Sequence, residues 1–102
     1  MTTDKTGAAT TVTARPDRYT IAVEGQEVGR AEFTDRDGQR VFTHTEVDKD
    51  YEGRGLATIL IAEALQATSD AGLQIVAKCP TVANYVKKHD EIDAIVTGDD
   101  DS

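Results

Sequence analysis

Alternating apolar and polar positions in the first half of the chain predict three β-strands. Tyr19, Ile21 and Val23 alternate with smaller or polar residues, as in a strand with one buried face. Glycine-containing segments at 24–26 and 35–38 follow the first two alternating runs and are typical of tight turns. We therefore expect an antiparallel meander, with strands over residues 19–23, 27–34 and 39–47.

The pattern changes after residue 54, where apolar residues cover most of a helical circumference. The polar residues Glu63, Gln66 and Asp70 fall at helical spacing on one narrow stripe, so a buried helix is predicted over residues 55–71. An apolar run at 73–79 predicts a strand covered on both faces. Strand, helix and strand together make a βαβ crossover with parallel strands. The remaining predictions are a short helix over residues 82–88 and a last strand over 92–96.

Length and composition indicate one small domain. The chain has 102 residues, of which 38% are hydrophobic. Residues 1–16 are rich in Thr, Ala and Gly without periodicity, so we expect a disordered N-terminal tail, a folded domain over 17–97 and an acidic tail at 98–102. No apolar run approaches the length of a membrane span, and the single cysteine is consistent with a reducing cytoplasm. A cytoplasmic protein without membrane contact, monomeric or weakly dimeric, is the expectation.

Charge narrows the range of partners. The net charge is −8, and from residue 89 onward there are six acidic side chains and no Lys or Arg. Nucleic-acid binding is not expected, because it needs a basic face. An acidic surface favours a cationic substrate such as an amine, although the acidic end is alternatively only a solubilising tail. His44 and His89 lie far apart without a cluster of ligands, so no metal site is predicted.

The segment between the third strand and the long helix is the strongest candidate for binding. Gly53 and Gly55 stand just before the helix, where uncovered backbone N–H groups and the helix dipole suit a phosphate or pyrophosphate. The alternative is a tight turn without a ligand. The residues fit neither a P-loop nor the dinucleotide-binding fingerprint.

Three segments together resemble the GNAT superfamily of acetyl-CoA-dependent N-acetyltransferases, and within it the minimal single-domain members. They are residues 44–47, 52–57 and 78–80, with Tyr85 and His89 downstream. The resemblance implies a mixed α+β fold: a GNAT-like mixed sheet with an antiparallel three-strand meander, a βαβ crossover and a short C-terminal helix.

The resemblance implies acetyl-CoA (or coenzyme A) as cosubstrate, its pyrophosphate at the glycine turn and its pantetheine arm paired with the backbone of residues 46 and 47, where two strands splay apart. Glu52 departs from the family pattern, which has Gln or Arg there, and Arg54 supplies compensating charge. The predicted cofactor-binding residues are Val47, Gly53, Arg54, Gly55, Leu56, Ala57 and Asn84.

Acetyl transfer needs a base for the amine and an acid for the departing thiolate. Tyr85 matches the position of a frequent general acid in the family; the alternative is a ring packed against the sheet. Cys79 is a candidate acid or acetyl-carrying nucleophile, with Lys78 and His44 as candidates to lower its pKa, or else a small buried hydrophobe. His44 and Glu46 are candidate bases; the alternative is cross-strand hydrogen bonding for His44 and surface charge for Glu46.

Strict alternation along the third strand predicts two sets of side chains, one on each face of the strand. The first set is Phe42, His44 and Glu46, and the second is Val41, Thr43, Thr45 and Val47.

The predicted function is acetyl transfer from acetyl-CoA to a primary amine, on a small molecule or a protein tail. A non-catalytic module that binds CoA or acetyl-CoA, as a sensor or interaction partner, is the main alternative. The third possibility is a small interaction domain whose glycine turn binds no ligand. Release of CoA from acetyl-CoA across a panel of amines and peptides distinguishes the enzyme from the other two.

Overall fold

The computed structural model describes residues 2–3, 7–89, 92 and 94–96. Seven strands, two α-helices and one short 3₁₀-helix follow one another along these ranges. The strands are β1 (Thr2–Thr3), β2 (Ala9–Ala14), β3 (Arg18–Val23), β4 (Gln26–Arg36), β5 (Gln39–Val47), β6 (Gln74–Ala77) and β7 (Ala94–Val96). The helices are α1 (Leu56–Asp70) and α2 (Pro80–Lys88), and the 3₁₀-helix is Lys49–Tyr51.

All seven strands form one mixed sheet in the order in which they occur along the chain. Strands β1 to β5 pair antiparallel, whereas β5 with β6 and β6 with β7 pair parallel. The predicted meander and βαβ crossover are thus confirmed. Because both parallel connections are right-handed crossovers in the same direction along the sheet, α1 and α2 lie on one face of it.

The prediction of a disordered N-terminal segment up to residue 16 is wrong for residues 9–14, which form β2. Residues 10–14 of this strand pair with β3, and Thr10 is buried opposite Val23. Threonine is β-branched and suits a pleated, half-buried surface, so a Thr-rich segment forms a strand once a neighbour supplies hydrogen bonds. The predicted acidic tail at 98–102 lies outside the described residues.

Both predicted turns form tight hairpins. Asp37 and Gly38 both have positive φ, 51° and 77°, as a two-residue type I′ turn requires. Glu24 and Gly25 have the same combination, at 49° and 89°. The β3–β4–β5 meander is therefore set by local turn chemistry.

One hydrophobic core fills the space between the sheet and the helices. Helix α1 is buried over most of its circumference, as predicted, and ends next to Gly72, whose φ is 77°. Its predicted bounds differ from the observed ones by a single residue at each end. Three aromatic rings, Tyr19, Phe33 and Phe42, pack on one another beneath it with centroids 5.3–6.3 Å apart.

A β-bulge in β5 corrects the prediction of which side chains share a face. Glu32 pairs with His44 while Phe33 pairs with Phe42, so Thr43 is the extra residue. The bulge puts Phe42 on the helix-covered face, where it is fully buried, and leaves His44 and Glu46 exposed on the other. Strict alternation had grouped all three together.

The second half of the crossover is shorter than predicted. Strand β6 ends at Ala77 rather than Cys79, because the N–H groups of Lys78 and Cys79 both donate to the carbonyl of Phe42. Pro80 then occupies the first turn of α2, where a missing N–H costs nothing. Because proline is tolerated in that first turn, the short helix begins at Pro80 rather than at Val82 as predicted.

Candidate functional site

Pairing between β5 and β6 stops before β5 ends and leaves part of β5 without a neighbour on that side. The last pair between them is Phe42 with Ala77, after which β6 ends and β5 continues to Val47. Phe42 receives two hydrogen bonds, of 3.1 Å from Lys78 and 2.9 Å from Cys79, and so marks the closed end of the opening. Residues 44–47 pair with β4 on one side, and neither they nor Thr43 pair with β6 on the other. An extended ligand can add to such an edge through backbone hydrogen bonds. The edge of β5 over residues 43–47, together with this opening, is called the slot below.

The glycine turn lies at the open end of the slot. Gly53 and Gly55 adopt φ values of 82° and 79°, and Gly55 is the N-cap residue of α1. A cavity of about 230 Å³ sits there, lined by the turn, by the first residues of α1 and by Val47 at the end of β5. The first N–H groups of a helix have no acceptor within it, and the first turn of α1 holds no acidic residue. The cavity therefore offers backbone donors and a positive dipole end to an anion.

Most of the predicted cofactor-binding residues come together at this cavity. Val47, Gly53, Gly55, Leu56 and Ala57 all line it. Thr58, Tyr51 and Glu52 complete the lining.

Two charged residues set the electrostatics of the turn. The Arg54 guanidinium lies 5.0 Å from the centroid of the Tyr51 ring, in cation–π contact. Glu52, whose carboxylate is unfavourable beside a pyrophosphate, is exposed and lines the cavity. Arg54 is therefore the positively charged side chain of the turn, and Glu52 is the negatively charged one in the wall of the cavity.

Cys79 lies beside the closed end of the slot, on the helix-covered side. Its side chain is buried, with 3% of the residue exposed, and its Sγ lies 3.5 Å from Oγ1 of Thr45. Burial raises the pKa of the thiol, but its hydrogen bonds with the Thr45 hydroxyl and with the backbone N–H groups of Thr81 and Val82 outweigh burial, so the pKa lies below its ordinary value. Cys79 is the N-cap residue of α2 and makes no full side-chain capping hydrogen bond. The N-terminus of the helix acts by favouring the thiolate form of its side chain.

The groups that lower the thiol pKa differ from those expected. His44 and Lys78 were the sequence candidates, whereas Thr45 and the first turn of α2 fill that role. Since Thr45 faces Cys79, its neighbours His44 and Glu46 point to the opposite face of β5.

His44 and Glu46 belong to a polar group on the open face of the sheet. Nε2 of His44 lies 3.4 Å from Oε1 of Glu46, and the same oxygen accepts a 2.8 Å ion pair from Arg30. Arg30 also donates a 2.6 Å hydrogen bond to Glu32. The arrangement allows His44 to act as a base toward the slot from the face opposite Cys79.

Tyr85 lies elsewhere, on the middle of α2. It lines a larger cavity of about 670 Å³ between the two helices, together with Gly38 and Gln74 at the far ends of β5 and β6. Its ring stacks on His89 with centroids 4.2 Å apart. None of the glycine-turn residues lines this cavity, and the cavity at the turn includes neither Tyr85 nor Asn84, which is exposed. The catalytic role of Tyr85 and the cofactor contact of Asn84 stay predictions.

Sequence reasoning missed Thr45 and Arg30. The contact of Thr45 with Cys79 gives no local signal, because the two residues lie 34 positions apart in the chain. Of the two partners of Arg30, Glu32 lies on the same strand, whereas Glu46 lies on the next one and is brought close only by strand pairing.

Two further searches of the described residues concern other kinds of site. In those ranges no three or more His, Cys, Asp or Glu side chains are grouped so as to hold a metal ion. No helix there has the length and hydropathy needed to cross a membrane.

Known families and structures supply an independent comparison. The sequence model of a family described as GCN5-related N-acetyl-transferase matches residues 18–95. No curated protein sequence matches the chain.

Among solved structures, a GCN5-like protein from Staphylococcus aureus superposes with a TM-score of 0.65 at 17% identity, covering 88% of this chain and 90% of that one. A ribosomal-protein-alanine N-acetyltransferase from Brucella melitensis gives 0.56 at 25% identity, covering 83% and 66%. An aminoglycoside acetyltransferase from a soil metagenome, solved with sisomicin, gives 0.51 at 14% identity, covering 86% and 63%. The fold is that of these acetyltransferases, and this chain spans about two thirds of the length of the last two.

Proposed function

The chain belongs to the GCN5-related N-acetyltransferase family, and from that premise we propose that it transfers the acetyl group of acetyl-CoA to a primary amine. The observation that carries the proposal is the meeting of two features at one point. The slot ends at Val47, and Val47 also lines the cavity of the glycine turn. A ligand with an anionic centre and an extended, amide-bearing arm fits both, and acetyl-CoA is such a ligand.

The glycine turn is proposed to bind the pyrophosphate through backbone N–H groups of residues 55–58. Arg54 adds a positive charge, and the exposed edge of β5 at residues 46 and 47 pairs with the amides of the pantetheine arm. This leaves the thioester near the closed end of the slot, between Cys79 on one face and His44 on the other.

The reaction follows from these positions. An ammonium group loses a proton to solvent, and the neutral amine nitrogen attacks the thioester carbonyl carbon. The carbon–sulfur bond breaks, the nitrogen gives up a second proton to His44, and the departing thiolate takes one. The products are an N-acetyl amide, CoA as its thiol and one proton released to solvent.

Cys79 is the proposed donor of the proton to the thiolate. Its lowered pKa makes it a stronger acid than an ordinary cysteine, and it lies next to the closed end of the slot. Tyr85 is kept as the second candidate for this proton, although its position in the other cavity supports the role less well.

The acceptor is proposed to be an amine that arrives at the open face of the sheet. Arg30, Glu32 and Glu46 carry a summed charge of −1 when His44 is neutral, which favours a cationic group. Similar folds act on a ribosomal-protein alanine and bind an aminoglycoside, so peptides and polyamine-like small molecules are both candidates.

One observation favours the non-catalytic alternative. The Cys79 thiol is almost wholly buried, as a side chain with only a packing role would be. A protein that only binds CoA needs no accessible thiol at this position.

The experiment that separates the two is release of CoA thiol from acetyl-CoA with peptides, aminoglycosides and simple diamines, with the acetylated product identified by mass. Wild-type protein is expected to form amide and CoA in equal amounts with at least one acceptor. His44→Ala is expected to lose about 100-fold or more in kcat/KM, as loss of a general base does. CoA binding without turnover on any acceptor would favour the binding module. Full activity in both Cys79→Ala and Tyr85→Phe would refute the proposed roles of these residues as acids. The proposal that the protein is an acetyltransferase would be unaffected.

A further inference from the structure

Four side chains form a square on the open face of β4 and β5. Arg30 is the direct cross-strand partner of Glu46, and Glu32 is the partner of His44. The Arg30 guanidinium bridges the two carboxylates, at 2.6 Å from Glu32 and 2.8 Å from Glu46. This bridging fixes two acidic side chains with one cation, and the hydrogen bond from Arg30 lowers the pKa of Glu32.

The Glu46 oxygen that Arg30 holds is the one that His44 contacts. Oε1 accepts from Nη2 of Arg30 and lies 3.4 Å from Nε2 of His44. A neutral imidazole donates from one nitrogen and accepts at the other. With Nε2–H directed at Glu46, the lone pair on Nδ1 is the one that takes a proton. Orientation of the carboxylate therefore selects the tautomer of the base.

Arg30 also controls the charge next to His44. Without Arg30 the two carboxylates alone would face the imidazole, and their combined charge would stabilise its protonated form. A base that is already protonated at neutral pH accepts no proton from an amine. The guanidinium therefore offsets the charge of the two carboxylates beside the imidazole.

We propose that Arg30 is a positioning residue: it holds Glu46 against His44, orients the imidazole as the base of the acetyl transfer and offsets the negative charge of Glu32 and Glu46 beside it. The inference rests on the proposed function, and it extends that function to a residue without a predicted role. The charged groups on this face around His44 are Glu46 on β5, Arg30 and Glu32 on β4, and Arg18 on β3 opposite Glu32.

The first test is the pH dependence of kcat/KM for three variants with the best acceptor of the panel. Arg30→Gln is expected to move the acid limb of the profile to higher pH and to lower kcat/KM about fivefold at neutral pH, with the difference closing at high pH. Arg30→Lys retains the charge and is expected to return the limb toward its wild-type position. Arg36→Gln removes the same charge from an exposed residue of the same strand and is expected to leave the profile unchanged. A profile for Arg30→Gln that matches that of Arg36→Gln overturns the proposal.

The second test needs no turnover. NMR titration of the His44 ring is expected to give a midpoint at higher pH in Arg30→Gln than in wild type or Arg36→Gln. An unmoved midpoint overturns the inference about Arg30 whether or not the protein is active. Absence of CoA release by wild-type protein, with the midpoint moved as expected, would instead count against the proposed function alone.

Discussion

Substitution of two glycines, one at each end of α1, distinguishes the binding role of the glycine turn from its structural role. Gly55 precedes the helix with φ of 79°, and Gly72 follows it with φ of 77°. A side chain in this left-handed region costs about 1–2 kcal/mol. Gly55→Ala and Gly72→Ala are therefore each expected to lower the free energy of unfolding by about 1–2 kcal/mol. For a domain of this size that corresponds to about 4–8 °C in Tm for each kcal/mol.

The two variants are expected to differ in their response to CoA. A ligand at a concentration of 100 times its Kd stabilises a protein by about 2.7 kcal/mol. Gly72→Ala should keep the full stabilisation, because a Cβ there meets nothing within 4 Å and Gly72 lies outside the cavity at the turn. Gly55→Ala should lose most of it, because Gly55 lines the cavity and its N–H group must keep its direction.

Thermal unfolding with and without CoA, followed by circular dichroism, measures both quantities in one experiment. The reasoning fails if Gly55→Ala shows the same CoA-induced rise in Tm as Gly72→Ala. It also fails if CoA raises the Tm of neither variant nor of wild-type protein.

Two further predictions concern charge. Glu52→Gln removes a carboxylate from the wall of the cavity and is expected to tighten CoA binding, measured by calorimetry, about two- to fivefold. Unchanged or weaker binding would show that Glu52 turns away from the ligand. Hydrogen bonds from Arg40, 2.7 and 2.8 Å long, hold the pKa of the Asp35 carboxyl below its ordinary value. The stability that this pair contributes is therefore present above about pH 4, and it is lost as the pH falls through the lower pKa of the folded state. Because Asp35 is 45% exposed, Asp35→Asn should cost only about 0.5 kcal/mol at pH 7 and nothing in acid, measured by urea unfolding; an equal loss at both pH values would contradict the ion-pair explanation.

Local signals in the sequence predicted the parts of the fold that depend on few residues. Asp37-Gly38 specified a hairpin because both φ values must be positive, and the apolar circumference of residues 56–70 specified a buried helix. The glycine turn could be predicted for the same reason, since its strand, glycines and helix are contiguous.

The parts that were missed depend on partners distant in the chain. Strand β2 forms because β3 lies beside it, and the bulge at Thr43 follows from pairing with β4. The Cys79 thiol meets Thr45, 34 residues earlier in the chain, rather than the nearer charges that its own segment suggested. Periodicity contains no information about such contacts, which is why the candidate base and acid were identified as residues but not as neighbours.

The structure of the protein with CoA bound tests the central claim most directly. The account predicts pyrophosphate oxygens within hydrogen-bonding distance of the N–H groups of residues 55–58. It predicts the pantetheine arm along residues 46 and 47 of β5, and the sulfur at the closed end of the slot near Cys79. Density for CoA in the cavity beside Tyr85, with the glycine turn empty, would contradict it.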